Sequence, residues 1–143
     1  MKWVQLVPYI KQQLARYSLP DVLIVHLGSN DMVQYGGDTL GDMITKDLAE
    51  IHKLLPNTKI VWSEILPRLR WEGANSWVGI ENKRRRVNRY GLTWVGRNGG
   101  FGIKHEITHK DKGLFRADQV HLSDIGNDIF LNSIQECLEV HLK

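Results

Sequence analysis

A nearly continuous apolar run, Asp21-Val22-Leu23-Ile24-Val25-His26-Leu27-Gly28, sets the terms for this fold. A strand whose apolar residues do not alternate with polar ones must be covered on both faces, as strands are in a parallel sheet. A second strand is predicted at Lys59-Ile60-Val61-Trp62-Ser63-Glu64-Ile65-Leu66, ended by Pro67. A shorter third lies near Phe101-Gly102-Ile103-Lys104-His105, behind the breaker Asn98-Gly99-Gly100. Helical spacing fills the gaps. Leu6, Ile10, Leu14 and Tyr17 mark an opening helix with Pro8 in its first turn. Ile44, Leu48, Ile51 and Leu55 mark a second, and Val87, Tyr90 and Trp94 point inward from a third over about 80–95. Ile125, Ile129, Ile134, Cys137 and Leu138 stripe a fourth, with Ser123 as its N-cap. The order α-β-α-β-α-β-α predicts parallel strands, right-handed crossovers and helices on both faces of one sheet.

With 143 residues and no repeat or linker-like tract, the chain reads as a single domain over 1–143. Its longest aliphatic run, Val22 to Val25, is far below the roughly 20 residues of a membrane helix, and no secretory leader is recognisable. The lone Cys137 lies on the apolar stripe of the last helix, where it reads as an inert core thiol. A cytoplasmic setting and no membrane partner are the expectations that follow.

Net charge is +3, but eight basic residues against two acidic ones fall between Arg68 and Arg97. Lys83, Arg84, Arg85, Arg86, Arg89 and Arg97 therefore form a candidate surface for nucleic acid or another polyanion. The competing reading is a solvated helix face, since no nucleic-acid-binding motif accompanies the charges.

Ligands of open α/β sheets bind beyond the carboxyl ends of the strands, which directs attention to two loops. The first is Gly28-Ser29-Asn30-Asp31, where glycine permits a sharp turn and the Asn amide can donate to an oxyanion. The second is Asp118-Gln119-Val120-His121-Leu122-Ser123, opening the last helix. Asp and His three residues apart can face each other across a tight turn, the carboxylate fixing the imidazole tautomer for general-base work. Either motif alone is equally a set of turn formers.

Taken together, an Asn-Asp pair ending the first strand and D-x-V-H-L-S before the final helix resemble two signature blocks of the SGNH (GDSL-like) hydrolases. Trp62 through Arg68 and Gly126-Asn127 strengthen the likeness, which spans the whole chain but only the later part of a family domain. The resemblance implies a three-layer α/β/α sandwich with a parallel sheet, flavodoxin-like and shortened on its N-terminal side to about three strands. It implies hydrolysis of a small ester by Ser-His-Asp chemistry, with no metal or cofactor. His121 would be the general base, Asp118 would orient it, and Asn30 would supply one oxyanion donor. Gly28, Ser29, Asp31 and Ser63 would line the cleft.

One departure matters most. The family's Gly-Asp-Ser nucleophile block has no counterpart, since Gly41-Asp42-Met43 falls in a helix and lacks the serine. Neither Ser29 nor Ser63 has an evident orienting context for that role, so no nucleophile is assigned. The expectation is an incomplete esterase domain with little turnover; a degenerate fold kept for ligand or protein binding is the other outcome. In the family the nucleophile strand pairs beside the Asp21–Gly28 strand, so its absence predicts an exposed edge and self-association.

Overall fold

The three apolar runs pair in parallel in the order β1-β2-β3, where β1 is Val22–Val25, β2 is Lys59–Ser63 and β3 is Phe101–Ile103. The structure, a computed structural model, describes residues 1–142. Register sets Leu23 beside Ile60 and Val25 beside Trp62, then Val61 beside Phe101 and Ser63 beside Ile103. Because side chains alternate, Leu23, Val25, Ile60 and Trp62 share one face, and Ile24, Val61, Phe101, Ser63 and Ile103 the other. Each strand is shorter than its apolar run, because the residues after Val25, Ser63 and Ile103 leave the ladder and become the loops that build the site.

Helices α1 (Leu6–Leu14), α2 (Gly37–Leu54) and α3 (Trp77–Arg97) close the first face around Leu6, Ile10, Ile44, Leu48, Ile51, Trp62 and Val87. Helix α3 starts earlier than its apolar spacing predicts because Ser76 caps it, its hydroxyl accepting the Gly79 N–H at 3.0 Å. Val87 is buried as expected, but Tyr90 and Trp94 are only half-buried. The inner line of α3 instead runs through Ile80, Val87, Gly91 and Val95, and Tyr90 turns its hydroxyl to Asp38.

Helix α4 (Asp124–His141) lies on the other face, mainly against β3, and begins at Ser123 as the sequence predicts. Its apolar stripe is less covered than expected. Ile129, Ile134, Cys137 and Leu138 are half-buried, and Ile125 is 65% exposed. The first turn of α4 docks through buried Gly126, and Ile125, about 100° around the helix, faces water. Ile129 and Phe130 join Ile107, Leu114 and Phe115 in a small second core. Cys137 lies against Gly102, and burial pushes its thiol pKa up, which suits an unreactive role.

Among the described residues, no strand pairs with the outer edge of β1, and no helix is long and apolar enough to cross a membrane. Four unbroken apolar residues on a bare edge offer a template for a second strand. Sizing chromatography at rising concentration is therefore expected to show self-association that Ile24→Lys weakens. A chain that stays monomeric throughout would rule out edge pairing.

Candidate active site

The loop before α4 is folded on itself. Phe115 and Leu122 form an isolated antiparallel bridge, and the Arg116 N–H donates to the His121 carbonyl at 2.8 Å. Within this turn Asp118 Oδ1 accepts the backbone N–H groups of Val120 and His121, both at 2.9 Å. Its Oδ2 lies 2.6 Å from His121 Nδ1. These bonds, led by that to His121, hold the Asp118 carboxyl well below the usual carboxylate range. An ionised Asp118 keeps the proton on Nδ1 and leaves Nε2 as the basic nitrogen. Among the described residues nothing hydrogen-bonds to that nitrogen.

Two contacts fix the turn against the rest of the molecule. Gln119 adopts φ +65°, a left-handed conformation rare outside glycine, and its carbonyl accepts N–H groups of Leu69 and Arg70 at 3.0 and 3.1 Å. On the other side the Gly126 α-carbon packs so close to Leu114 that a side chain would meet its carbonyl oxygen at 2.2 Å. Ser123 adds a hydrogen bond to the Gly113 carbonyl at 2.7 Å.

The loop after β1 turns at Gly28, whose φ of +123° is barred to other residues without strain. A single 3-10 turn, Ser29–Asp31, follows. Asp31 is fully buried and accepts the Trp3 N–H at 2.9 Å, tying the start of the chain to this loop. Burial pushes its pKa up. Asn30 is exposed, its Oδ1 accepting from Arg68 Nη2 at 3.3 Å.

A cavity of about 240 Å³ opens between the two loops, with His26, Ser29, Arg68, His121 and Asn127 as polar lining and Leu66 and Phe130 among its apolar walls. Of the four residues expected along the cleft, Ser29 alone lines it. Gly28 and Asp31 are buried beneath the loop because they carry the turn and its anchor. Ser63 is fully buried, its hydroxyl held 2.9 Å from His26 Nδ1 and 2.7 Å from His105 Nε2. Sequence reasoning assigned no role to Arg68, Gln119 or Asn127, since each earns its place only when distant loops meet.

The His26–Ser63–His105 chain runs beside Phe130, whose ring centroid is 4.8 Å from His26 and 4.5 Å from His105; His26 is exposed at the cavity and His105 is half-buried. One hydroxyl proton serves two imidazoles, so Ser63 donates to one ring and accepts from the other. Burial, with the charge of His26, lowers the His105 pKa to about 4, and burial lowers that of His26. The folded state therefore binds fewer protons than the unfolded one between pH 6.5 and 4, so this contribution is present above pH 6.5 and fades toward pH 4. The expected loss is about 1–2 kcal/mol, discounted because the ring is partly solvated. Asp31 and Glu64, raised by burial, act in the opposite sense. Thermal melts of the chain and of His105→Asn from pH 7 to 4 check this: the difference between them should shrink as pH falls.

The basic helix spends two of its six charges on the fold itself. Lys83 Nζ donates to the carbonyls of Met32 and Tyr35 at 2.8 and 3.0 Å. Arg84 pairs with Glu81 at 3.0 Å and donates to the Ile65 carbonyl, Arg86 faces Asp38 at 3.5 Å, and Arg85 donates to Asn82. Arg89 and Arg97 share a depression with Asp38 and Asp42. Lys83 and Arg84 thus act as struts between α3 and the loops. Among the described residues no three His, Cys, Asp or Glu side chains converge as metal ligands.

Neither a family model nor a curated relative matches the sequence. Solved structures do. A protein described as an acylhydrolase of Bacteroides fragilis aligns over 100% of this chain and 72% of its own, with TM-score 0.74 and 18% identity. A GDSL-like lipase of Bacteroides thetaiotaomicron aligns over 97% of this chain and 71% of its own, with TM-score 0.71 and 19% identity. This chain has the GDSL-like hydrolase fold. Its three-stranded parallel sheet and four helices are the α/β architecture that the strand and helix order predicts.

Proposed function

We propose that the chain carries the acid–base half of an acyl-ester hydrolase site and that the attacking hydroxyl comes from outside these 143 residues. The 2.6 Å contact between Asp118 and His121, with the imidazole Nε2 unengaged beside a cavity at the carboxyl ends of the strands, carries this reading. In the reaction His121 Nε2 takes the proton of the attacking hydroxyl, Asp118 stabilises the imidazolium, and the proton then passes to the leaving alkoxide. Asn30 Nδ2 offers one donor to the oxyanion, a contribution of roughly 2.7–4 kcal/mol when well placed.

The chain's own serines near the site argue for an external hydroxyl. That of Ser63 is held between two histidines, and that of Ser123 caps α4. Ser29 reaches the cavity wall but makes no hydrogen bond with His121. The substrate is a small ester, and the bare outer edge of β1 is where a strand bearing the missing hydroxyl would pair. The test is hydrolysis of p-nitrophenyl butyrate by the chain and by His121→Ala, both expected at the rate of buffer alone. Turnover abolished in His121→Ala would overturn the external hydroxyl and make Ser29 the first residue to replace.

A further inference from the structure

Arg68 brings a positive charge to the wall of the His121 cavity and meets no carboxylate there. It is half-buried, with its guanidinium 4.7 Å over the ring of Trp71 and Nη2 donating to Asn30 Oδ1 at 3.3 Å. Among the described residues no Asp or Glu oxygen lies within 4.0 Å of its guanidinium nitrogens, whereas Arg84 pairs with Glu81 and Arg86 with Asp38; only the Arg68 backbone N–H meets a carboxylate, donating to Glu81 Oε2 at 3.4 Å. The field of Asp118 reaches Arg68, but that carboxylate is already engaged by His121 and two backbone N–H groups. Burial lowers the Arg68 pKa, the mark of a cation drawn partly out of water.

The guanidinium is also held in position from below. The Arg68 carbonyl accepts the Trp77 indole N–H at 2.8 Å, and Trp71 donates to buried Glu81 at 2.7 Å. A guanidinium presents five N–H donors in a planar fork that matches a carboxylate, and here only one donates to a side chain. Leaving a cation half-buried and unmatched is costly, so a ligand that supplies the anion gains from a site already ordered.

We propose that the cavity takes the carboxylate end of a small anionic ester, held by the free guanidinium N–H groups of Arg68. This rests on the hydrolase reading and names its substrate class. The cavity of about 240 Å³ holds roughly eight water-sized groups of about 30 Å³ each, which suits a short chain. Leu66 and Phe130 provide apolar walls for its methylenes. The same arginine fixes the amide of Asn30, because a donor-only guanidinium must face the amide oxygen, and Nδ2, which gives one hydrogen to the Met1 carbonyl at 3.5 Å, keeps its second for an oxyanion.

Butyrate and its neutral isostere butyramide test the proposal by amide chemical-shift titration of the full chain. Butyrate is expected to saturate shifts around Arg68, Asn30 and Asn127, with butyramide at least tenfold weaker. Arg68→Gln should weaken butyrate at least tenfold, and Arg68→Lys less, because it keeps the charge and loses the fork. Equal binding of the two ligands, or butyrate affinity unchanged in Arg68→Gln, overturns it. Should Arg68→Gln fail to fold, the comparison of butyrate with butyramide on the unaltered chain decides alone. The titration needs no turnover, so it can fail while the Asp118–His121 reading stands, and the converse also holds.

Discussion

Asn88→Ala is expected to cost about 2–4 kcal/mol of stability, a large share of the roughly 5–15 kcal/mol that holds an ordinary domain. Asn88 is 3% exposed and bridges α3 to the end of β2. Its Oδ1 accepts the Trp62 indole N–H at 3.1 Å and the Ile65 backbone N–H at 2.8 Å, and its Nδ2 donates to the Ile65 carbonyl at 3.2 Å. Truncation strands two buried donors, while the Ile65 carbonyl keeps Arg84. Each buried group left without a partner costs about 1–3 kcal/mol, and the two do not add fully because both lose the same acceptor. Urea unfolding should show a lower midpoint at unchanged slope. Arg85→Ala, on the exposed side of the same helix, should stay within about 0.5 kcal/mol of the parent. A loss below about 1 kcal/mol in Asn88→Ala would mean that the bridge is not what holds Ile65 and the cavity wall beyond it.

That bridge marks the limit of what periodicity can tell. The strands were legible because the Val22–Val25 and Ile60–Trp62 runs carry their burial in the sequence itself, and Ser123 announced α4 by its chemistry. Asp118 and His121 were legible because their partnership is local, three residues across one turn. Arg68, Gln119 and Asn88 act through contacts 20 or more residues distant, and no local pattern encodes these. Ser63 shows the converse error. A serine late in a strand reads as cleft-lining, but the fold sets His26 and His105 on either side of it and lays Phe130 against both. The coverage of α4 was overestimated for a related reason: an apolar stripe records which side is meant for burial, not how much of the sheet is there to receive it.

The largest effect is expected once the proposed external hydroxyl is present. If the coding region upstream carries an in-frame Gly-Asp-Ser strand, the longer product should hydrolyse p-nitrophenyl butyrate, and Asp118→Asn should lower its kcat by about 10⁴, the size seen for the corresponding change in a serine protease. The atoms say why the loss is chemical rather than structural. In Asp118→Asn the amide oxygen can still accept from Val120 and His121, so the turn closed by those 2.9 Å bonds survives. The amide nitrogen then faces His121 Nδ1, where Oδ2 stood at 2.6 Å. An NH₂ group there can only donate, so Nδ1 becomes the acceptor and the proton moves to Nε2. The imidazole then presents N–H to the hydroxyl it should deprotonate, and no carboxylate remains to stabilise the imidazolium. Because substrate contacts are untouched, KM should change little while kcat collapses. A fall of less than tenfold, with the hydroxyl present, would show that Asp118 does not set the tautomer of His121.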